Sequence, residues 1–433
     1  MKSIIILVFI WVNISAAVAG VLSKSEAFDV LKSQGFKWKL TETMPLDAEA
    51  KTQEANSDFN PRIQLGLRQY IARINPIQFG GANSEAIDTV GFGTTAVEMS
   101  WALFDPISEA KLLAAMANEK MTAAQTKHFQ NELTALMLIQ YLNVQRLGQQ
   151  VAVMDANIVK SKLIFKLVSA RKTVGAGIPL DVSRAKNLVQ LDQLKKIAIY
   201  TKYTKARHEL ATTLGMEKLV KDPSPLKANF FEILEIEKFL SQTIEHRYDL
   251  KAAETALVAA NGAEEESKKL FFPKLNLLAE VGTTQATLLG MPPKNMNGFL
   301  GISFSIPIES GGLIQAKRKE AALLQTKASL QIKQTRAEII SQAREALELV
   351  LAASEAVKAS DDYLKTAEDE EKYAEQKYRA GSSNILDLTS AHTSLATAKD
   401  TRTENIFNYE AAKVNYFRTI GDFSEYFSTE KGE

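Results

Sequence analysis

The sequence predicts a mostly α-helical chain with four short β-strands, arranged as an internal two-fold repeat. Three observations carry this. Four long stretches are nearly free of glycine and proline, four segments alternate polar and apolar residues, and the chain resembles itself at a spacing of about 206 residues.

The chain starts Met1-Lys2-Ser3, continues with the apolar run Ile4–Val12, and reaches Ala17-Val18-Ala19 before Gly20. A positive start, a short apolar core and an A-x-A site predict a secretory signal peptide over residues 1–19. A retained N-terminal anchor is the alternative. No later segment offers 18 consecutive apolar residues. Export permits disulfides, yet the chain has no cysteine, so stability must come from packing and assembly. Lys plus Arg number 52 against 51 Asp plus Glu, which leaves no global field to attract nucleic acid.

Between Ile107 and Val174 the only glycine or proline is Gly148, and between Leu313 and Ala380 there is none. Leu180–Leu214 and Ser382–Ile420 are also free of both. All four stretches are rich in Ala, Leu, Lys, Glu and Gln, which are good helix formers. A helix of about 68 residues extends roughly 100 Å, a length that coiled coils and tubes use and globular domains rarely need. Alanines at positions such as Ala110, Ala114, Ala117, Ala396 and Ala398 suggest close helix approach.

Strand-like alternation marks Arg62–Arg68, Ala96–Leu103, Lys274–Val281 and Gly301–Ile306, each with one apolar face. This pattern fits half-buried soluble sheet or membrane strands. Four strands are too few to close a membrane barrel, because bacterial barrels start at eight and open edges cannot face lipid. A membrane reading therefore demands several chains, and after a dimer the smallest ring-like solution is three chains giving twelve strands.

Gly175-Ala176-Gly177-Ile178-Pro179-Leu180-Asp181 aligns with Gly381-Ser382-Ser383-Asn384-Ile385-Leu386-Asp387, and Leu214-Gly215 falls on Ile420-Gly421 at the same offset. Asn60-Pro61-Arg62 resembles Phe272-Pro273-Lys274, and Leu103–Pro106 resembles Pro307–Ser310. Each half thus predicts helix, strand, strand, long helix, tight turn, helix, over residues 60–215 and 216–421, with an N-terminal segment at 20–59 and a tail at 422–433.

The junction Phe304-Ser305-Ile306-Pro307-Ile308-Glu309-Ser310-Gly311-Gly312 resembles the "S-L-P-L-F-D-G-G" start of the long helix in TolC-family outer-membrane efflux proteins. Lys377-Tyr378-Arg379-Ala380-Gly381 with Leu386-Asp387-Leu388 resembles that family's "R-Y-x-A-G…L-D-V-L-x-A" turn, and Phe271–Leu275 its "F-L-P-S-L" strand start. The resemblance covers roughly Asn60 to Gly421, whereas Val21–Phe59 departs from the longer regular first helix usual in the family. It implies a homotrimer in which four strands per chain form a 12-stranded outer-membrane β-barrel continuous with a long periplasmic α-helical barrel. It also implies a mixed domain from Met216–Phe230 and the tail after Gly421, and extracellular loops at Asn75–Ile87 and Gly282–Asn297.

No catalytic constellation is found. His128, His208, His246 and His392 lack the spacing of a helical metal site and read as surface or packing residues, so neither a metal nor a cofactor is expected. Gly91-Phe92-Gly93-Thr94-Thr95-Ala96 superficially matches a dinucleotide fingerprint but precedes a strand instead of opening a helix.

The candidate functional residues are the helix-to-helix turns. Val174, Gly175 and Ala176 in the first, and Ala380, Gly381 and Ser382 in the second, resemble the family's periplasmic tips that meet an adaptor (membrane fusion protein). Plain turn chemistry would use the glycines equally well. Asp387 falls, by resemblance, where family members ring the closed entrance with carboxylates. Alternatively it is an acid stabilising the helix N-terminus, as the matching Asp181 suggests. Ser383 and Ser390 stand at the family's tip-arginine and second acidic positions, which implies a different lock, and a hydrogen bond from Tyr378 to Asp181 between neighbouring hairpins is a further expectation.

The function these readings imply is a passive exit duct of a tripartite efflux or type I secretion system. Its energy would come from an inner-membrane pump and its outer surface would meet outer-membrane lipid. The alternative class is a structural coiled-coil protein of the envelope; an enzyme is the most distant reading.

Overall fold

The structure, a computed structural model, describes residues 21–72, 90–219, 221–287 and 295–430. The expected signal peptide and the expected loop at Asn75–Ile87 lie outside the described residues.

Helices α1 (Lys24–Gln34) and α2 (Phe36–Ser57) precede strands β1 (Arg62–Ala72) and β2 (Val90–Phe104). Then come α3 (Pro106–Thr173) and α4 (Pro179–Leu214). A second series follows: α5 (Ile236–His246), α6 (Tyr248–Lys269), β3 (Lys274–Thr287), β4 (Asn295–Ser305), α7 (Leu313–Arg379) and α8 (Ile385–Ile420), with α9 (Ser424–Glu430) last. The long helices are 68 and 67 residues, each followed by one of 36.

Several ends have clear causes. Ser23 and Glu26 form a reciprocal capping box at the start of α1. Pro179 opens α4, where its missing N–H costs nothing. Gly215 and Gly421 close α4 and α8 with φ of 74° and 90°, the left-handed conformation that glycine adopts without penalty. A Cβ on Gly215 would stand 2.2 Å from the carbonyl oxygen of Gln34, so that glycine is also required by close approach to the end of α1.

The chain divides into two units. The first holds residues 1–40, 129–246 and 339–433. Its main core joins α1, α3, α4, α5, α7, α8 and α9 through residues such as Leu31, Tyr141, Leu210, Phe239, Val350 and Tyr416. The segment at 216–230 and the tail both pack here: Leu219 and Leu226 line this core with Phe423 and Tyr426, and Leu22 forms a parallel bridge with Pro223. Buried Glu410 accepts from the backbone N–H of Asn229 at 2.8 Å and pairs with Lys24 at 3.4 Å, fixing α1 and the 229 segment to α8.

The second unit holds residues 41–128 and 247–338 and contains the sheet. Its strands are antiparallel in the order β1-β2-β3-β4, so β1 and β4 form the two edges. Period-two alternation sets the register: Ile63 faces Met99, Met99 faces Ala279, and Ala279 faces Leu300. The resulting apolar face is bare, with Leu65 67% and Leu300 74% exposed. The opposite face carries Gln64, Arg68 and Glu98, joined by hydrogen bonds from Gln64 at 2.7 Å and Arg68 at 2.5 Å to the Glu98 carboxylate.

Two sequence expectations are corrected. Gly282–Asn297 is not a loop throughout, because β3 runs on to Thr287 and β4 starts at Asn295. The continuation is polar and small, Gly282-Thr283-Thr284, which hides strand from a search for apolar alternation. Gly91–Ala96 lies within β2 and does not precede it. Among the described residues, no helix is long and apolar enough to cross a membrane.

Candidate functional site

In the first unit the two helix turns come together. Ile164 and Val168 of α3, Ala185 of α4, Tyr378 of α7, and Ile385 and Leu388 of α8 form one small buried cluster. The hairpins α3–α4 and α7–α8 are thus packed together just below their turns. Each turn is tight because of a left-handed glycine, Gly175 at φ 79° and Gly381 at φ 80°. Both glycines follow the same local pattern: the amide of the next residue, Ala176 or Ser382, donates back to the carbonyl of Arg171 or Lys377.

Val174, Gly175, Ala176, Ala380, Gly381 and Ser382 are all exposed, and Val174 is 77% accessible. Asp387 is exposed in the first turn of α8; its amide donates to the Asn384 side chain at 2.9 Å, and its carboxylate accepts from Ser383 Oγ at 3.1 Å. Ser383 therefore works with Asp387, while Ser390 is exposed further along α8. Asp181 sits in the matching first turn of α4 and pairs with Arg184 at 3.7 Å. Tyr378 is buried in the cluster, and burial, aided by the charge of Asp181 and opposed by Arg171, raises its phenol above the ordinary range. Within one chain, among the described residues, no hydrogen bond joins Tyr378 to Asp181.

Arg171 does the linking instead. Its guanidinium donates to the carbonyl of Tyr378 at the end of α7 and lies 4.9 Å from the centre of the Tyr378 ring. A carbonyl in the last turn of a helix lacks its intrahelical donor, so a cation there satisfies an orphan group and the macrodipole together.

Sequence reading also missed a buried charge cluster in the same unit. His392 of α8 is 3% exposed; its Nδ1 lies 3.0 Å from the Glu371 carboxylate of α7, and its Nε2 lies 3.7 Å from that of Asp192 on α4. Lys160 of α3 reaches Glu371 at 3.6 Å and Glu375 at 2.6 Å, and Arg379 holds Glu375 at 2.7 Å. Burial alone would lower the His392 pKa, but Asp192 and Glu371 outweigh it and raise it. Burial alone would raise Glu371, but His392 and Lys160 hold it below the ordinary carboxylate range. The signal in the sequence is positional: His392 occupies the stripe Ile385, Leu388, His392, Leu395, all buried at helical spacing.

Among the described residues, no group of three or more His, Asp or Glu is placed to hold a metal ion.

The chain thus combines a four-stranded sheet that has a bare apolar face with two pairs of long helices closed by glycine turns. A family model described as outer membrane efflux protein matches residues 239–415. The chain is 22% identical over 288 residues to the pyoverdine export outer membrane protein OpmQ of Pseudomonas putida, covering 65% of this chain and 60% of that protein. It is 21% identical over 406 residues to the outer membrane protein TolC of Escherichia coli, covering 87% and 77%. Across the first four relatives matched, the alignments span 41–60% of the relatives' own length. Its fold is similar to that of the CmeC outer membrane channel of Campylobacter jejuni, with a TM-score of 0.79 at 15% identity, covering 94% of this chain and 89% of CmeC. The matched family model and these relatives are outer membrane efflux proteins, and the chain is similar to them in sequence over part of its length and in fold over most of it.

Proposed function

We propose that this chain is the outer-membrane exit duct of a tripartite efflux or type I secretion system in a Gram-negative bacterium. The observation that carries this is the sheet. Its apolar face is exposed, and β1 and β4 end the strand order, with no further strand beside them among the described residues. Unpaired backbone groups in lipid cost several kcal/mol each, so a membrane sheet must close on itself. Three chains of four strands give a 12-stranded barrel, with β4 of one pairing β1 of the next.

On this reading the two repeats, 60–215 and 216–421, each contribute two strands and a helical hairpin, which the matching helix lengths and matching glycine turns support. The hairpins of three chains build the periplasmic tunnel. The exposed turns around Gly175 and Gly381 dock the periplasmic adaptor, and the adaptor in turn engages the inner-membrane pump that supplies the energy. Asp387, exposed in the first turn of α8 and backed by Ser383, rings the closed entrance and favours cations.

Outer-membrane fractionation with a heat-modifiable band on gel electrophoresis is the test. The duct reading expects both. A chain recovered from the soluble periplasm with unmodified mobility would instead be a structural coiled-coil protein of the envelope.

A further inference from the structure

We propose that His392 is a positioning residue whose proton ties the α3–α4 hairpin to the α7–α8 hairpin, so that the separation of the two hairpins follows periplasmic pH. The inference goes beyond the duct reading and rests on it only for the word periplasmic.

The geometry favours the charged imidazole. A neutral imidazole has one N–H and one lone pair. Here both ring nitrogens face carboxylates, Glu371 at 3.0 Å and Asp192 at 3.7 Å, in a site that admits almost no water. In the neutral form one nitrogen therefore presents its lone pair to a carboxylate oxygen. Only the imidazolium can donate toward both, and its partners sit on different hairpins: Asp192 on α4, Glu371 on α7. Lys160 of α3 adds the second cross-hairpin link through Glu371 and Glu375.

Among the described residues, the charges facing this site can be named. Lys160 comes from α3, Asp192 from α4, Glu371, Glu375 and Arg379 from α7, and Lys399 of α8 acts on Glu371 from further off. Lys196 of α4 is taken by Asp155 of α3 at 2.6 Å. Loss of the His392 proton thus leaves three carboxylates facing Lys160 and Arg379. Among the described residues Asp192 is then the group left without a cation, and Asp192 is what connects α4.

The contact also has slack. At 3.7 Å, His392 Nε2 and Asp192 Oδ2 are an ion pair, and neither atom has a hydrogen-bond partner among the described residues. A charge-assisted hydrogen bond would close to about 2.8 Å, drawing α4 and α8 together. The sign follows from the raised pKa. The imidazolium link is fully present below the ordinary histidine value of 6.5 and is lost as pH rises through the higher value that the folded site confers. Asp387 lies little more than one helical turn before His392 on α8, so movement of this level moves the turn residues with it.

The test uses the full-length chain in membrane-mimetic nanodiscs. Histidine-selective NMR titration reads the four imidazoles, and His392→Gln identifies the one that disappears. Because the chain has no cysteine, Thr173→Cys with Ser382→Cys gives one spin-label site on each hairpin. The expected result is that His392 titrates above 6.5 and that the label separation widens by about 1–2 Å as pH rises through that value. His392→Gln should be wide at every pH, and His392→Lys, which keeps the cation, should be narrow at every pH. A His392 that titrates below 6.5, a separation indifferent to pH in wild type, or a pH response that persists in His392→Gln would each overturn the proposal. These readings need only the folded chain, so a failure of outer-membrane fractionation would sink the duct reading without touching them.

Discussion

At the first turn, Arg171 serves two purposes with one guanidinium: it satisfies the Tyr378 carbonyl and lies against the Tyr378 ring. A charged hydrogen bond and a partly exposed cation–π contact together are worth about 1–2 kcal/mol. Arg171→Ala should therefore speed amide exchange in the last turn of α7 roughly 5–30-fold; unchanged exchange would mean that the link contributes nothing in solution. Asp387 is tested differently, because its role is in transport. Asp387→Ala should lower single-channel cation selectivity, and unchanged selectivity would leave Asp387 only its place in the first turn of α8. Residue type and residue position conflict at the sites that sequence reading missed. Asp192 follows Ala185 and Leu188 on an inward stripe, and Glu371 lies between Ala367 and Tyr378 on another. The helical period points them inward while their charge suggests solvent. Only the neighbouring helices show that each has a partner there.

At the scale of elements, the absence of glycine and proline locates the long helices almost to the residue, because those two types are what interrupt a helix. Gly148 inside α3 is absorbed without a break; a Cβ there would stand 3.3 Å from the Tyr203 ring. Strands were less legible. Alternation reveals only the parts with apolar side chains, so the polar ends of β2 and β3 extend past what the pattern marks. Pro45 lies inside α2 and does not end it, and the break between α1 and α2 falls instead at Gly35. The turns carry a prediction of their own. Gly175→Val has no neighbour within 4 Å to strike, so its effect comes from forcing a branched residue into the left-handed region, about 1–2 kcal/mol, and from reshaping the exposed tip. At Gly381 a Cβ would also press on the Arg171 guanidinium at 3.3 Å. Both Gly175→Val and Gly381→Val should abolish export while leaving trimers intact; unimpaired export would reject adaptor docking at the turns.

For the whole molecule, the sheet determines the assembly. Within one chain it exposes an apolar face and ends in two edges, a combination that in water invites aggregation and in lipid demands closure. The strand count demands more than one chain and the family resemblance implies three, whereas nothing in one sequence fixes which edge meets which. Native mass spectrometry of the full-length protein released from outer membranes in mild detergent tests this most directly. A single species of three chains is expected. A stable monomer or dimer in the same preparation would contradict it, because neither could supply the twelve strands that the barrel needs.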